Sequence, residues 1–142
     1  MAIVNMSYPK PRAAQTKLAV LSVATNGTTA AEIMVLPKWA VIIGIYIIGS
    51  ATATGGTVSA ATINVGTSAT ATELVSGFDV YGTTGEGYHP AGAATVGSAL
   101  CTPLTVDTHV YAKYTEVTGS GATGGSWTIK IEYFVTGPQE TL

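Results

Sequence analysis

Short runs of β-branched and apolar residues alternate along this chain with clusters of turn-formers. The runs are Lys17 to Ala24, Ala31 to Leu36, Ala40 to Ile48, Ser59 to Val65, Glu73 to Val80, Ser98 to Leu104, His109 to Thr115 and Ser126 to Val135. Asn26-Gly27, Gly55-Gly56, Gly85-Glu86-Gly87 and Gly119-Ser120-Gly121 punctuate them. Eight short strands with polar loops predict an all-β chain, a two-sheet β-sandwich with a jelly-roll-like arrangement. The last run is the clearest. Trp127, Ile129, Ile131, Tyr133 and Val135 alternate with Ser126, Thr128, Lys130, Glu132 and Thr136, so period two places the first set on one face. Phe134 interrupts the polar set and marks local burial or a partner contact.

Val41 to Ile48 is different, because it is apolar at both parities. One face of a strand in a small sandwich meets water, so a second apolar face needs a cover, either the N-terminal segment or another subunit. The subunit is the preferred cover, which makes Trp39, Val41, Ile43, Ile45, Ile47 and Phe134 the candidates for an oligomer interface. Gly44 within the run suggests a bulge or a close backbone approach. Trp39 to Ile48 spans ten residues, about half of what a membrane helix needs, and reads as a buried strand. Residues 1–16 hold Tyr8-Pro9-Lys10-Pro11-Arg12, whose prolines disfavour sheet pairing, and read as an extended N-terminal arm on a neighbour. Residues 17–142 then form the sandwich domain.

Composition sharpens the picture of a covered surface. Of 142 residues, 46% are hydrophobic and only 10% charged, against roughly a quarter charged in an ordinary soluble domain. The formal net charge of −2 offers no general attraction to nucleic acid or to an anionic membrane, and neither is expected as a partner. Its distribution is uneven. Lys10, Arg12 and Lys17 precede the first acidic residue, Glu32, which leaves a basic arm on an acidic body. The opening residues lack the charged and apolar regions of a signal peptide, so synthesis in a cytoplasm without export by that route is expected. Cys101 is the only cysteine, which excludes an intrachain disulfide.

Catalytic candidates are thin. His89 lies in Gly85-Glu86-Gly87-Tyr88-His89-Pro90, and His109 follows Asp107. With Asp79 and Glu86 these residues form a conceivable metal or acid–base set, but none has the close spacing that marks a metal helix or finger. Loop histidines making ordinary hydrogen bonds are the favoured reading. Cys101, beside Ala99, Leu100 and Leu104, reads as a small buried hydrophobe rather than a nucleophile. No phosphate-cradling loop is present, because the glycines from Gly119 to Gly125 lack a lysine partner. No catalytic residue, metal or cofactor is expected. Tyr81, Tyr88 and His89 remain candidates for exposed-loop binding of a carbohydrate or receptor, since sugars stack on aromatic faces.

Leu36-Pro37-Lys38-Trp39-Ala40-Val41-Ile42-Ile43-Gly44-Ile45-Tyr46-Ile47, followed after a Gly-Gly turn by Ala61-Thr62-Ile63-Asn64-Val65-Gly66-Thr67, resembles small tailed-bacteriophage virion proteins of the capsid decoration or cement type. Their pattern is Leu-Pro, a small residue, an apolar strand, a Gly-rich loop and a Thr-rich strand ending in Val-Gly. Trp39 stands where that pattern often has a small residue. The resemblance implies a β-sandwich of the capsid exterior, often trimeric, that cements the lattice of the major capsid protein. It offers no catalytic residues. The expected partners are therefore the major capsid protein and a homotrimer of the chain itself. Tyr8, Lys10, Arg12 and Lys17 are the capsid-contacting arm, and the virion exterior is the expected location after synthesis in the host bacterial cytoplasm. The alternatives are a receptor- or carbohydrate-binding module of a head fibre or tail, and a tail, connector or head-completion structural protein.

Overall fold

The computed structural model describes residues 14–22, 29–54, 56–81, 85–89, 102–117 and 121–137, with the backbone alone for 50–54 and 85–89. Among these residues eight strands carry the fold: β1 (Gln15–Ser22), β2 (Ala31–Leu36), β3 (Ala40–Thr54), β4 (Ala60–Gly66), β5 (Val75–Asp79), β6 (Gly85–His89), β7 (Thr108–Val117) and β8 (Gly124–Val135). They form two four-stranded antiparallel sheets, the first ordered β1-β8-β3-β6 and the second β2-β7-β4-β5. Strand one pairs with eight, two with seven, three with six and four with five. The chain thus winds like one long hairpin rolled into a sandwich, which is the jelly-roll arrangement of nested Greek keys.

Alternation builds the core. In β8, Trp127, Ile129, Ile131 and Tyr133 are buried while the residues between them are only half-buried. Opposite them in the first sheet stand Leu21 of β1 and Ile42, Ile45 and Ile47 of β3. The second sheet supplies Met34, Leu36, Ala61, Ile63, Val65, Val75, Val110, Ala112 and Tyr114. Tyr114 stacks on Trp127 across the two layers, with ring centroids 5.3 Å apart and planes at 17°. The Tyr114 hydroxyl donates to Glu116 Oε2 at 3.0 Å. Burial, then the Glu116 hydrogen bond and its charge, push this phenol up to about 12.

The two-sided run is explained by a β-bulge. The register of β3 against β8 shifts between Ile42 and Gly44, leaving Ile43 unpaired and 42% exposed. After the bulge the parity resets, so Ile45 and Ile47 face the core, at 0% and 1% exposure, instead of the outer surface expected for an interface. The bulge turns a run with no polar face into one inward row and one outward row.

Two expected elements differ. Gly85 to His89, expected as a loop, is the edge strand β6 paired with β3. Thr102 to Leu104, the described part of an expected strand, carries none; Leu104 instead exchanges backbone hydrogen bonds with Trp39 and Ala40. Strand β1 begins at Gln15, inside the stretch assigned to the arm, and residues 1–13 of that arm lie outside the described residues.

Candidate interaction surface

Strand parity decides what each sheet shows on its outward side. On the first sheet Val41 faces Phe134, Gly44 faces Glu132, Tyr46 faces Lys130 and Ile48 faces Thr128. Leu18 and Val20 extend this row on the edge strand β1, where they pair with Lys130 and Thr128 and stand 63% and 69% exposed. Sequence reasoning placed β1 but missed this pair. The available signal was the alternation of Lys17, Ala19 and Leu21 with Leu18 and Val20, which commits one set inward.

A small polar cluster sits within the apolar row. Lys130 Nζ lies 2.9 Å from Glu132 Oε1 and 4.3 Å from the centre of the Tyr46 ring, and the Tyr46 hydroxyl donates to Glu132 Oε2 at 3.3 Å. Tyr46 folds back over Gly44, where an added Cβ would meet its ring at 2.9 Å. Glycine here lets the aromatic ring lie flat on the sheet.

The sandwich has two ends, and one gathers most of the features read from the sequence. Gln15, the Pro37 to Ala40 turn, the 67–74 connection, the 102–107 segment and Thr136 all fall at the end where β3 starts and β8 finishes. At this end Trp39 occupies a left-handed conformation, φ 69°, in a turn closed by Ala40 N donating to the Pro37 carbonyl at 3.1 Å. Its backbone is held from both sides: Trp39 N donates to the Leu104 carbonyl at 2.7 Å, and its carbonyl accepts from Thr136 N at 2.9 Å and Thr136 Oγ1 at 3.0 Å. Asp107 Oδ1 accepts from Lys38 N at 2.8 Å, and Lys38 Nζ sits 4.9 Å from the Trp39 ring centre. Val106 nearby in sequence to Asp107 is exposed.

The second turn of the resembling segment is at the same end. Glu73 Oε2 accepts from Thr67 N at 3.0 Å and Thr72 N at 3.1 Å, and Ser68 Oγ donates to Oε1. Desolvation raises the Glu73 pKa, but the hydrogen bonds from Ser68 and from backbone N–H groups outweigh it and hold the carboxyl below its ordinary 4.5. A Cβ on Gly66 would stand 1.9 Å from Glu73 Oε2 and 2.7 Å from the Ala71 backbone, so this loop closes only over glycine.

The remaining candidates are dispersed. His109 Nδ1 lies 2.9 Å from Glu32 Oε1 on the surface of the second sheet, Asp79 accepts from Tyr81 N at 2.9 Å, and Asp107 caps the Lys38 turn. Among the described residues no three His, Cys, Asp or Glu side chains gather as a metal site. Tyr81 is exposed beyond β5, whereas Tyr88 and His89 stand on β6 opposite Tyr46 and Ile45, in a strand rather than a loop. Lys17, expected in the arm, lies inside β1 on the inward parity, and its ammonium donates to the Val35 carbonyl of β2. Tyr8, Lys10, Arg12 and Cys101 lie outside the described residues. Of the interface candidates, Phe134 and Val41 share the outward row, where Phe134 is half-buried and Val41 is buried at 8% exposure; Ile43 is the exposed bulge residue, and Trp39 is half-buried at the sheet end.

Among the described residues the arrangement offers surfaces, and no acid, base and nucleophile converge there. The sequence matches no protein-family model and no curated protein. Two solved structures share the fold. A chain of the cyanophage Pam1 capsid asymmetric unit matches with a TM-score of 0.59 and 18% identity over 95% of this chain and 94% of that one. A chain of the acidic stable capsid structure of Helicobacter pylori bacteriophage KHP30 matches with a TM-score of 0.51 and 11% identity, over 89% of this chain and 91% of that one. At these identities the likeness is one of fold, and it extends over nearly the whole of each chain.

Proposed function

We propose that this chain is a structural virion protein without enzymatic activity, a decoration or cement protein on the capsid exterior of a tailed bacteriophage. It binds and stabilises the major capsid protein lattice as a homotrimer. The observation that carries this reading is the near end-to-end fold match with chains from two phage capsids. The apolar outward row of the first sheet supports self-association, through Leu18, Val20, Ile43 and Phe134. The basic segment before Gln15 serves as the tether to neighbouring capsid subunits. Several modest contacts per trimer resist detachment through avidity, because each engaged subunit holds the next contact at high effective concentration.

The test is removal of residues 1–14, which leaves β1 intact because it starts at Gln15. The shortened chain is expected to keep its fold and its oligomeric mass, and to lose binding to lattices of major capsid protein in a sedimentation assay. Undiminished occupancy by the shortened chain rules out the tether.

A further inference from the structure

Each sheet has two edge strands, and the four edges are not finished alike. The second sheet ends in β2 and β5. Both are interrupted: the register of β2 against β7 shifts between Glu32 and Met34, and that of β5 against β4 between Ile63 and Val65. On β2 the Val35 carbonyl is also taken up by the ammonium of Lys17. On β5 the backbone turns left-handed at Gly77, φ 70°, whose N–H donates to Asn64 Oδ1. Bulges, inward-pointing charges and short, broken strands are the means by which a sheet edge is kept from pairing with another chain.

The first sheet ends in β1 and β6, and both are regular. Strand β1 pairs with β8 in unbroken register from Gln15 to Ser22, and β6 pairs with β3 in unbroken register from Gly85 to His89. The outward positions of β1 are Thr16, Leu18, Val20 and Ser22. None of them is charged or proline, and Leu18 and Val20 stand 63% and 69% exposed. The one charged residue of β1, Lys17, is spent on β2. Strand β6 contains Gly85 and Gly87, and glycine within a strand suits the close approach of a second backbone. Among the described residues, then, the sheet with the apolar outward row is also the sheet with two unguarded edges.

Strand direction decides how such edges can meet. Strands β1, β8, β3 and β6 are successively antiparallel, so β1 and β6 run in opposite directions. Rotation about a threefold axis along the strands preserves every direction, and it therefore brings β1 of one copy antiparallel to β6 of the next. A β1-to-β1 contact needs a twofold axis instead. Resting on the homotrimer proposed above, we infer that β1 of each copy pairs backbone to backbone with β6 of the next, so that the first sheet continues from copy to copy. The contact is head-to-tail and closes after three copies. Leu18 and Val20 change from edge residues into interior positions of a continuous sheet, and the guarded edges of the second sheet stay out of the ring.

Cysteine pairing tests this directly. Leu18, Lys130, Tyr46 and Tyr88 are successive partners across the sheet, so positions 18 and 88 of one chain lie three strand spacings, about 14 Å, apart. A disulfide needs Cα atoms within about 7 Å, and one between these positions therefore joins two copies. With the only native cysteine removed by Cys101→Ser, Leu18→Cys is combined with Tyr88→Cys, and separately with Glu86→Cys to cover a register two residues away. Oxidation of at least one combination is expected to give a covalent ladder that ends at three chains, while each single substitution stays at the mass of one chain on a denaturing gel. Covalent dimer from Leu18→Cys alone puts β1 against β1 and overturns the inference. No ladder from either combination, with wild-type light scattering at three chains, overturns the pairing and leaves the homotrimer standing. A wild-type monomer overturns the homotrimer itself, and the pairing with it. Hydrogen exchange on the wild-type chain needs no substitution: amide protection along both β1 and β6 is expected to fall when the assembly is diluted to monomer, and unchanged protection in either strand overturns the pairing.

Discussion

Leu18, Val20, Ile48, Tyr46 and Phe134 share the outward side of the first sheet, while the second sheet turns Thr62, Asn64, His109, Tyr111, Lys113 and Thr115 outward. Both faces come from alternating strands, yet the second is furnished with polar side chains over most of its outward row, with Val35 and the 52% exposed Val117 as its apolar members. Its polar groups are also met within the chain: Asn64 Oδ1 accepts from Gly77 N at 2.6 Å, and His109 meets Glu32. On the first sheet the polar groups collect around Tyr46, and the apolar residues flank them. A sandwich needs one inward face per sheet for its core, so apolar residues retained on an outward face are surplus to folding and point to association.

The largest expected effect tests that difference directly. Leu18→Glu with Val20→Glu places two charges on the exposed edge of the first sheet, one of them opposite Lys130. Light scattering on a sizing column is expected to show the proposed assembly reduced to monomer with unchanged circular dichroism. A single charge on the second sheet, Thr62→Glu, is expected to leave the mass as it was. If both variants retain the assembly, or if Thr62→Glu dissolves it, the two faces are not distinguished by association.

The strands responsible for this contrast were legible to different degrees. The alternation of β8 named its buried row from Trp127 to Tyr133 because no bulge interrupts that row and each inward position carries a large apolar side chain. The β3 run gave the strand but not its faces, since a one-residue bulge reverses parity and an all-apolar run carries no marker of where that happens. Gly44 was the one local hint, and it lies immediately after the bulge. Strand β6 reads as a turn in the sequence because Gly85-Glu86-Gly87 has poor strand propensity; it is held by backbone pairing to β3 at the sheet edge, a cause that no local pattern records. The end of the sandwich was legible in part. Leu36 to Thr67 drew attention to both of its turns, but neither the left-handed Trp39 nor the inward Lys17 follows from composition. Both depend on partners distant in sequence, Leu104 and Thr136 for one and Val35 for the other.

A second test concerns how the two sheets hold their surroundings in order. The second sheet relies on a buried-backbone closure at Gly66, where Gly66→Ala forces its methyl against both Glu73 and the Ala71 backbone. The expected loss is about 3 kcal/mol in denaturant unfolding. Glu73 extends the test to pH. Because its folded pKa is lowered, its contribution is complete above the ordinary 4.5 and is lost as the pH falls through the folded value. Hydrogen exchange is expected to show protection of the Thr67 and Thr72 amides falling in acid, while the mass of the proposed assembly, ascribed to apolar contact at the first sheet, holds. Acid dissociation that runs ahead of the lost amide protection would tie the assembly to ionised groups instead.

The smallest effects come from a matched pair of carboxylates, one on each face. Glu132 is shared between Lys130 and Tyr46, and the Glu132 and Lys130 side chains are each only 27% exposed. Glu32 meets His109 with both side chains about half exposed, at 45% and 55%. Water screens the second pair more strongly, and its loss leaves no cation stranded over an aromatic ring. Glu132→Ala is therefore expected to cost about 1 kcal/mol in urea unfolding, and Glu32→Ala no more than about 0.5 kcal/mol. The order matters more than either value. If Glu32→Ala proved the costlier change, the second sheet would depend on its surface charges more than the first depends on its Tyr46 cluster. Solvation would then no longer support the proposal that the first sheet's outward face, and not the second's, takes a partner.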